Sequence, residues 1–359
     1  MKVLLIRLRS IGDIIQCTPA FAAAREILKA SSIDLMIDER CAELVIENPA
    51  LDGFLLYNNG SAGFFDRLKY DLNFLRIIRK RRYDVVIDFH GIPKTAWLSY
   101  LSGAKIRAGY NYRGRGHLYT HRAEPPEKFK VHSARNQINL LKALPEDMRP
   151  PGAFFDDFKL RTFVSARHSE GEFAAFLKKN AIPAAGAERS DIIIYHITPS
   201  NNFKKWQAEN YAAIINMCER HPALAGRRLN HVVIGRAEDD KEFEKIRSIV
   251  RTVSGKIISA CGLLSLGAVF NLAKAGLCFV GPDSGPLHIA AASGVPSIGL
   301  FGPTNVETFA PPSDNFQGVY NPDLTCRPCD QKRCFRGFKC IKTIRAADVF
   351  YAMLKNILR

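Results

Sequence analysis

Short apolar runs rich in Val, Ile and Leu alternate along this chain with longer stretches whose apolar positions recur at helical spacing. The short runs predict strands over 3–8, 33–38, 53–57, 84–89 and 105–109, and again over 191–197, 230–235, 256–259, 277–281 and 296–301. The longer patterns between them predict helices over about 14–30, 40–47, 66–82 and 93–102, then about 207–221, 238–252, 264–275 and 286–293. Continuous Val/Ile-rich strands joined by helix-length crossovers mean parallel sheets covered on both faces. The region 110–190, with its prolines in EPPEKFK and MRPPGAFFDD and an amphipathic helix at about 165–180, has little strand character. Two series of five strands on either side of it predict an α/β chain of two doubly wound, Rossmann-like domains. The expected limits are 1–160 and 161–344, with a last helix in 345–359, apolar at Ala347, Val349, Phe350, Leu354 and Ile357, that packs back on the amino-terminal domain. Ligands of such sheets sit at the carboxyl ends of the strands, so two sheets facing across a cleft would share one site there.

Charge narrows the partner. The 359 residues carry 51 Lys+Arg against 35 Asp+Glu, a net +16, while the hydrophobic and charged fractions, 47% and 24%, are those of a soluble globular protein. Such a surplus implies an anionic partner, whether nucleic acid, an acidic membrane face or a phosphorylated substrate. The opening MKVLLIRLR does not read as a signal peptide, because its apolar run ends at Arg7 and Arg9. The most apolar region, 287–302, is broken by Ser293, Gly294, Pro296 and Gly299, too early for a membrane span. The expectation is a cytosolic protein able to lie against a membrane, with cysteines mostly as thiols.

Three loops after strands carry the chemistry. In GPDSGPLHIAAASGVPSIGLFGPT, residues 281–304, Asp283, Ser284 and Gly285 turn a strand into a helix containing His288. Gly285 removes a side chain at the helix entrance, so backbone N–H groups and the helix dipole together suit a diphosphate; the plainer reading is an N-cap and two turn glycines. The loop His196–Trp206 offers the hydroxyls of Thr198 and Ser200 with Lys204, the donors a phosphate needs, or else a solvated polar loop anchored by Trp206. The loop 235–240 holds Glu238, Asp239 and Asp240, acids suited to ribose hydroxyls, although first turns of helices commonly carry acids. No G-x-G-x-x-G follows a strand and no G-x-x-x-x-G-K-[ST] exists, which counts against a nicotinamide dehydrogenase and a P-loop NTPase.

Ser10-Ile11-Gly12-Asp13 follows the first strand. S-x-x-D before an apolar run fits a capping box, with Ser10 as N-cap and Asp13 at the third helical position. The same place puts Asp13 at the carboxyl edge of the first sheet. A helix N-terminus favours a carboxylate there, which suits a proton acceptor while costing it basicity. That cost is tolerable where bond cleavage runs ahead of proton transfer, as in an oxocarbenium-like transition state.

With VLLIRLRSIGDIIQCTPA, the Lys204-Lys205-Trp206 loop and FVGPDSGPLHIAAASGVPSIGLFGPT in this order, the chain resembles glycosyltransferase family 9, the bacterial lipopolysaccharide heptosyltransferases. The resemblance implies a GT-B fold with an amino-terminal acceptor domain and a carboxyl-terminal nucleotide-sugar domain. It implies inverting transfer from ADP-heptose, without a metal, to a Kdo–lipid A or heptosyl acceptor of the inner core. Position by position it implies Asp13 as base; Thr198, Ser200 and Lys204 at the phosphates; Glu238 near the nucleoside; and Asp283, Ser284, Gly285 and His288 at the diphosphate and sugar. Gln207 after Trp206 departs from the family's frequent proline. The resemblance also gives the basic run a use. Eight Lys/Arg between Lys105 and Arg135, Arg113 and Arg115 among them, meet only Glu124 and Glu127, a surface for an anionic lipid acceptor at the cytoplasmic face of the inner membrane rather than for nucleic acid. The alternatives are a glycosyltransferase of the same fold with another nucleotide sugar or a protein acceptor, and a non-enzymatic basic membrane- or nucleic-acid-binding protein.

Cys326, Cys329, Cys334 and Cys340 fall within one short segment as C-x₂-C-x₄-C-x₅-C. In a reducing compartment that spacing reads as a thiolate knuckle for a structural zinc or iron, with two local disulfides or four free thiols as the other readings. The chemistry implied by the resemblance needs no metal, so any ion there would be structural.

Overall fold

The structure, a computed structural model, describes the chain apart from residues 59, 61–62, 128, 150–154, 184–190, 200, 252, 330 and 359. It divides into two compact units, Met1–Ser165 and Ala166–Arg359. Each is described by itself.

The strands of the first unit are β1 (Lys2–Ile6), β2 (Ser32–Asp38), β3 (Gly53–Tyr57), β4 (Val85–Asp88), β5 (Ile106–Tyr110) and β6 (His121–Ala123), of which the apolar β1, β2 and β4 are the most buried. They form one parallel sheet in the order β3-β2-β1-β4-β5-β6. The crossovers include α1 (Ile11–Leu28), α2 (Phe64–Arg81) and α3 (Pro93–Leu101), and α4 (Ser133–Leu140) follows β6. Phe74 and Ile78 of α2 and Leu98 of α3 share a core with Leu4, Ile6 and Val86, so these two helices cover one face of the sheet.

The second unit begins with α5 (Glu170–Lys179) and repeats the plan. Its strands are β7 (Ile192–His196), β8 (Asn230–Ile234), β9 (Lys256–Ser259), β10 (Cys278–Pro282), β11 (Ser297–Leu300) and β12 (Phe316–Val319). They are again parallel, in the order β12-β11-β10-β7-β8-β9. Between and after them lie α6 (Ala208–Arg220), α7 (Asp240–Ile249), α8 (Leu266–Ala275), α9 (Gly285–Ala292), α10 (Val306–Phe309), α11 (Lys339–Lys342) and α12 (Ala346–Ile357).

The α/β class with two doubly wound sheets is as expected, with three differences. Among the described residues each sheet has six strands rather than five, since β6 and β12 add short edges. The helix expected over 40–47 is a 3₁₀ segment, Glu39–Leu44, opened by the Asp38 carboxylate accepting from the Arg40 N–H. The last helix, expected to pack on the amino-terminal domain, instead buries Val349, Phe350 and Met353 in the second unit's core beside α6, where the Trp206 indole donates to the Ile344 carbonyl at 3.1 Å. Among the described residues no helix is long and apolar enough to cross a membrane.

Candidate active site

Strand order in both sheets reverses at one place, between β1 and β4 in the first and between β7 and β10 in the second. At such a switch point the loops leaving the two neighbouring strands run in opposite directions and open a crevice at the carboxyl ends. Of the loops named by the sequence, those holding Asp13, Lys204 and Asp283 leave β1, β7 and β10, and the loop 235–240 leaves the neighbouring β8.

In the first unit β1 runs into Arg7 and then α1. Ser10 occupies the N-cap position with extended backbone, but its hydroxyl makes no cap hydrogen bond. It donates instead to Asp13 Oδ2 at 3.1 Å, so the side-chain half of the expected capping box is not formed. Arg7 Nη2 lies 2.9 Å from the same Asp13 oxygen. The guanidinium is itself buried and held by donation from Nη1 to the Phe89 carbonyl at 2.6 Å, while Asp13 remains 41% exposed, open to a ligand. The loop after β4 completes the place. Buried Asp88 accepts from the N–H groups of His90 and Gly91 and from the Tyr119 hydroxyl, and burial pushes its carboxyl up. Among the described residues His90 has a buried Nδ1 with no hydrogen-bond partner, and burial, with the Arg7 charge next, pulls its imidazole down to about 4.

Arg115 Nη2 donates to the Gly91 carbonyl at 2.8 Å, which fixes it beside this loop. Arg113, with a left-handed backbone at φ 52°, is exposed on the same segment. The two expected acceptor arginines therefore differ: one is bound to the site's edge and the other points to solvent.

In the second unit Lys204 ends a 3₁₀ turn after β7 and is buried. Its ammonium donates to the Asp283 carbonyl at 3.0 Å and to Asp283 Oδ2 at 2.7 Å. His288, one turn into α9, places Nε2 3.8 Å from Asp283 Oδ1. Burial opposes the charged form of Asp283, but His288 and Lys204 outweigh it and hold the carboxyl well below the usual carboxylate range. Ser284 is the N-cap residue and Gly285 the first residue of α9. The Ser284 hydroxyl is 3.2 Å from His196 Nδ1, a ring that burial keeps neutral, with its pKa pulled down to about 3. Lys204, Asp283, Ser284, Gly285 and His288 thus come together at the entrance of one helix.

Thr198 is turned elsewhere: its hydroxyl donates to Asp239 and accepts from the Arg236 N–H at 3.0 Å. Glu238 is exposed and lies 3.7 Å from Arg236, whereas its neighbour Asp239 is the acid built into this loop by hydrogen bonds. Ser200 lies outside the described residues. Sequence reasoning named Asp239 among this loop's acids but singled out Glu238, and it missed Arg7 and His90. An arginine closing β1 and a histidine closing β4 were the available signals.

Cys326, Cys329, Cys334 and Cys340 are free thiols. Burial pushes the Cys340 thiol up, and its neighbours Cys329, Cys326 and Cys334 push it further. Among the described residues no group of three or more His, Cys, Asp or Glu is arranged to hold a metal. The segment instead braces the second unit's loops. The Cys329 N–H donates to the Pro303 carbonyl at 3.0 Å, Arg327 donates to the Gly302 and Thr304 carbonyls, and Phe338 meets Phe203 edge-on at 5.3 Å.

Residues 72–339 match the family described as Glycosyltransferase family 9 (heptosyltransferase). A lipopolysaccharide heptosyltransferase 3 of Escherichia coli is 24% identical, over 96% of this chain and 94% of that protein. Among solved structures, E. coli ADP-heptose lps heptosyltransferase II superposes with a TM-score of 0.74 at 18% identity, covering 100% of this chain and 99% of that one. The iron-containing dodecameric glycosyltransferase TibC of enterotoxigenic E. coli superposes at 0.55 and 15% identity, covering 99% of this chain and 75% of that one. The two structures share the fold.

Proposed function

The chain belongs to glycosyltransferase family 9 and is a glycosyltransferase of the heptosyltransferase type, and on that premise we propose that it moves heptose from ADP-heptose to the lipopolysaccharide inner core, a Kdo–lipid A or heptosyl acceptor. The observation that carries this reading is the Lys204–Asp283 pair at the entrance of α9. An ammonium has three N–H donors, and Asp283 takes two of them in a fixed geometry, leaving the third for a phosphate oxygen. The first-turn N–H groups beside Gly285 add donors and positive potential. Together they stabilise the charge that develops on ADP as its bond to the sugar breaks, the electrostatic part of catalysis. His288 and the Ser284 hydroxyl lie next to that place and suit the sugar and diphosphate oxygens.

Asp13 takes the proton. The acceptor hydroxyl attacks the anomeric carbon from the face opposite ADP, its oxygen forms the new glycosidic bond, its hydrogen passes to Asp13, and the electron pair of the broken bond leaves on ADP. Arg7 orients the Asp13 carboxylate through Oδ2, and in this reading the other oxygen takes the hydroxyl's hydrogen. Arg115 and Arg113 serve the acceptor's anionic groups, in an amino-terminal acceptor domain, while the carboxyl-terminal domain holds the donor. Thr198 acts through Asp239 in shaping the nucleoside side, with Glu238 at its rim and Ser200 in the phosphate loop.

For a structural zinc or iron the four thiols are the right donors, but the described residues are not arranged around an ion, and no step is routed through one. An acceptor on a lipid places the enzyme in the cytoplasm against the inner membrane, which its net +16 favours. Family membership sets aside the non-enzymatic alternative.

A donor panel tests the reading: nucleotide release from ADP-heptose and from other nucleotide sugars, with and without Kdo–lipid A. ADP release that depends on both ADP-heptose and the acceptor is expected. Turnover of another nucleotide sugar in place of ADP-heptose, or of a protein acceptor in place of the glycolipid, contradicts it.

A further inference from the structure

Helix α2 turns Phe74 and Ile78 to the sheet. Its opposite face carries Phe65, Leu68 and Leu72, at the spacing that stacks side chains on one side of a helix, and they are 81%, 49% and 49% exposed. Single exposed apolar residues are ordinary, but a stripe of them at helical spacing on a solvent face is not. Further along, the same face becomes cationic with Arg76 and Arg79, flanked by exposed Lys69 and Lys80.

Helix α3 lies alongside. Lys94 Nζ is 3.3 Å from Asp71 Oδ2, and Arg79 Nε donates to the Leu101 carbonyl at 2.8 Å, so the two helices run side by side in one layer. The outer side of α3 exposes Trp97 (51%) and Tyr100 (46%), whose rings meet edge-on at 5.8 Å. The Arg107 guanidinium sits 5.5 Å from the Tyr100 ring. One surface therefore combines aliphatic side chains, two amphipathic aromatics and a fringe of Lys and Arg.

We propose that the outer face of α2 and α3 is the surface by which this protein lies on an anionic lipid bilayer. The inference deepens the proposed function, since it rests on that reading for its lipid-borne acceptor. The chemistry fits one occupant. Leu and Phe enter the acyl boundary, Trp and Tyr prefer the headgroup level, and Lys and Arg meet lipid phosphates. A second copy of the same face would set like charges against each other, so charge complementarity selects the bilayer.

The test is vesicle co-sedimentation of the full chain with phosphatidylcholine alone and with phosphatidylcholine containing phosphatidylglycerol. Binding is expected only with the anionic lipid, and Leu68→Ser/Leu72→Ser should lower the partition coefficient by about tenfold or more. Lys69→Gln/Lys80→Gln should lower it as well and weaken its salt dependence. The chain has two tryptophans, and Trp206 is buried. A blue shift of emission on binding should therefore vanish in Trp97→Phe. ADP affinity should be unchanged in all three variants, which shows that they fold. Failure of the wild type to bind anionic vesicles, equal binding by the leucine variant, or a wild-type dimer that the leucine variant converts to monomer would each overturn the proposal. Anionic-vesicle binding retained by an enzyme that proves to use another donor leaves the surface standing and removes only the functional reading.

Discussion

Lys204 and Asp283 are the residues on which the proposed donor site depends, and their burial makes the pair costly to break. Both side chains are about a tenth exposed. Removing one partner of such a pair leaves an uncompensated buried charge, a loss of about 3–5 kcal/mol. Lys204→Ala should therefore lower the unfolding free energy from urea curves by that amount, weaken ADP binding and slow transfer together, since on the proposed reading the ammonium meets phosphate in both ground and transition states. Lys204→Met with Asp283→Asn should recover much of the stability and none of the ADP affinity. Unfolding curves and ADP titrations on the three proteins decide it; unchanged ADP affinity in Lys204→Ala would remove the phosphate assignment. Asp13 differs because it is open to solvent, and its partners Arg7 and Ser10 hold one oxygen only.

At the scale of elements, the α/β class and most strands could be read from apolar runs because buried parallel strands are continuously apolar. Edge strands are not. His121-Arg122-Ala123 has no apolar run, and Phe316-Gln317-Gly318-Val319 is short and half polar, so β6 and β12 escaped notice. The site loops were legible for a related reason: glycine, proline and an acid after an apolar run mark the carboxyl end of a strand. Partnerships across loops were not legible. Arg7 with the Phe89 carbonyl, or Thr198 with Asp239, depends on the sheet order that sets β1 beside β4 and β7 beside β8. The tie from Arg115 to Gly91 is of this kind, and it separates two arginines the sequence treats alike. Arg115→Gln should raise the acceptor KM more than Arg113→Gln, with ADP affinity unchanged in both. Equal effects on donor binding would move these residues out of the acceptor site.

Across the whole molecule, each unit repeats one strand order and places a neutral histidine at its switch point. Burial is the main cause in both, holding His90 down to about 4 and His196 to about 3. A depressed histidine contributes stability above its unfolded pKa of about 6.5, and that contribution falls as pH drops, because the unfolded chain takes up the proton first. Each should remove about 2 kcal/mol between pH 6.5 and pH 5. Asp283, also depressed, adds its loss only below the unfolded carboxyl range. Urea midpoints that do not fall over that window would show that these rings are not held neutral. The central claim is a division of labour, with proton transfer at the first switch point and diphosphate binding at the second. Asp13→Asn tests it most directly, through acceptor-dependent ADP release measured beside the Kd for ADP. The account predicts transfer down by at least roughly 100-fold, the lower range for losing acid–base catalysis, with ADP affinity intact. Near-normal turnover in the folded variant would contradict it.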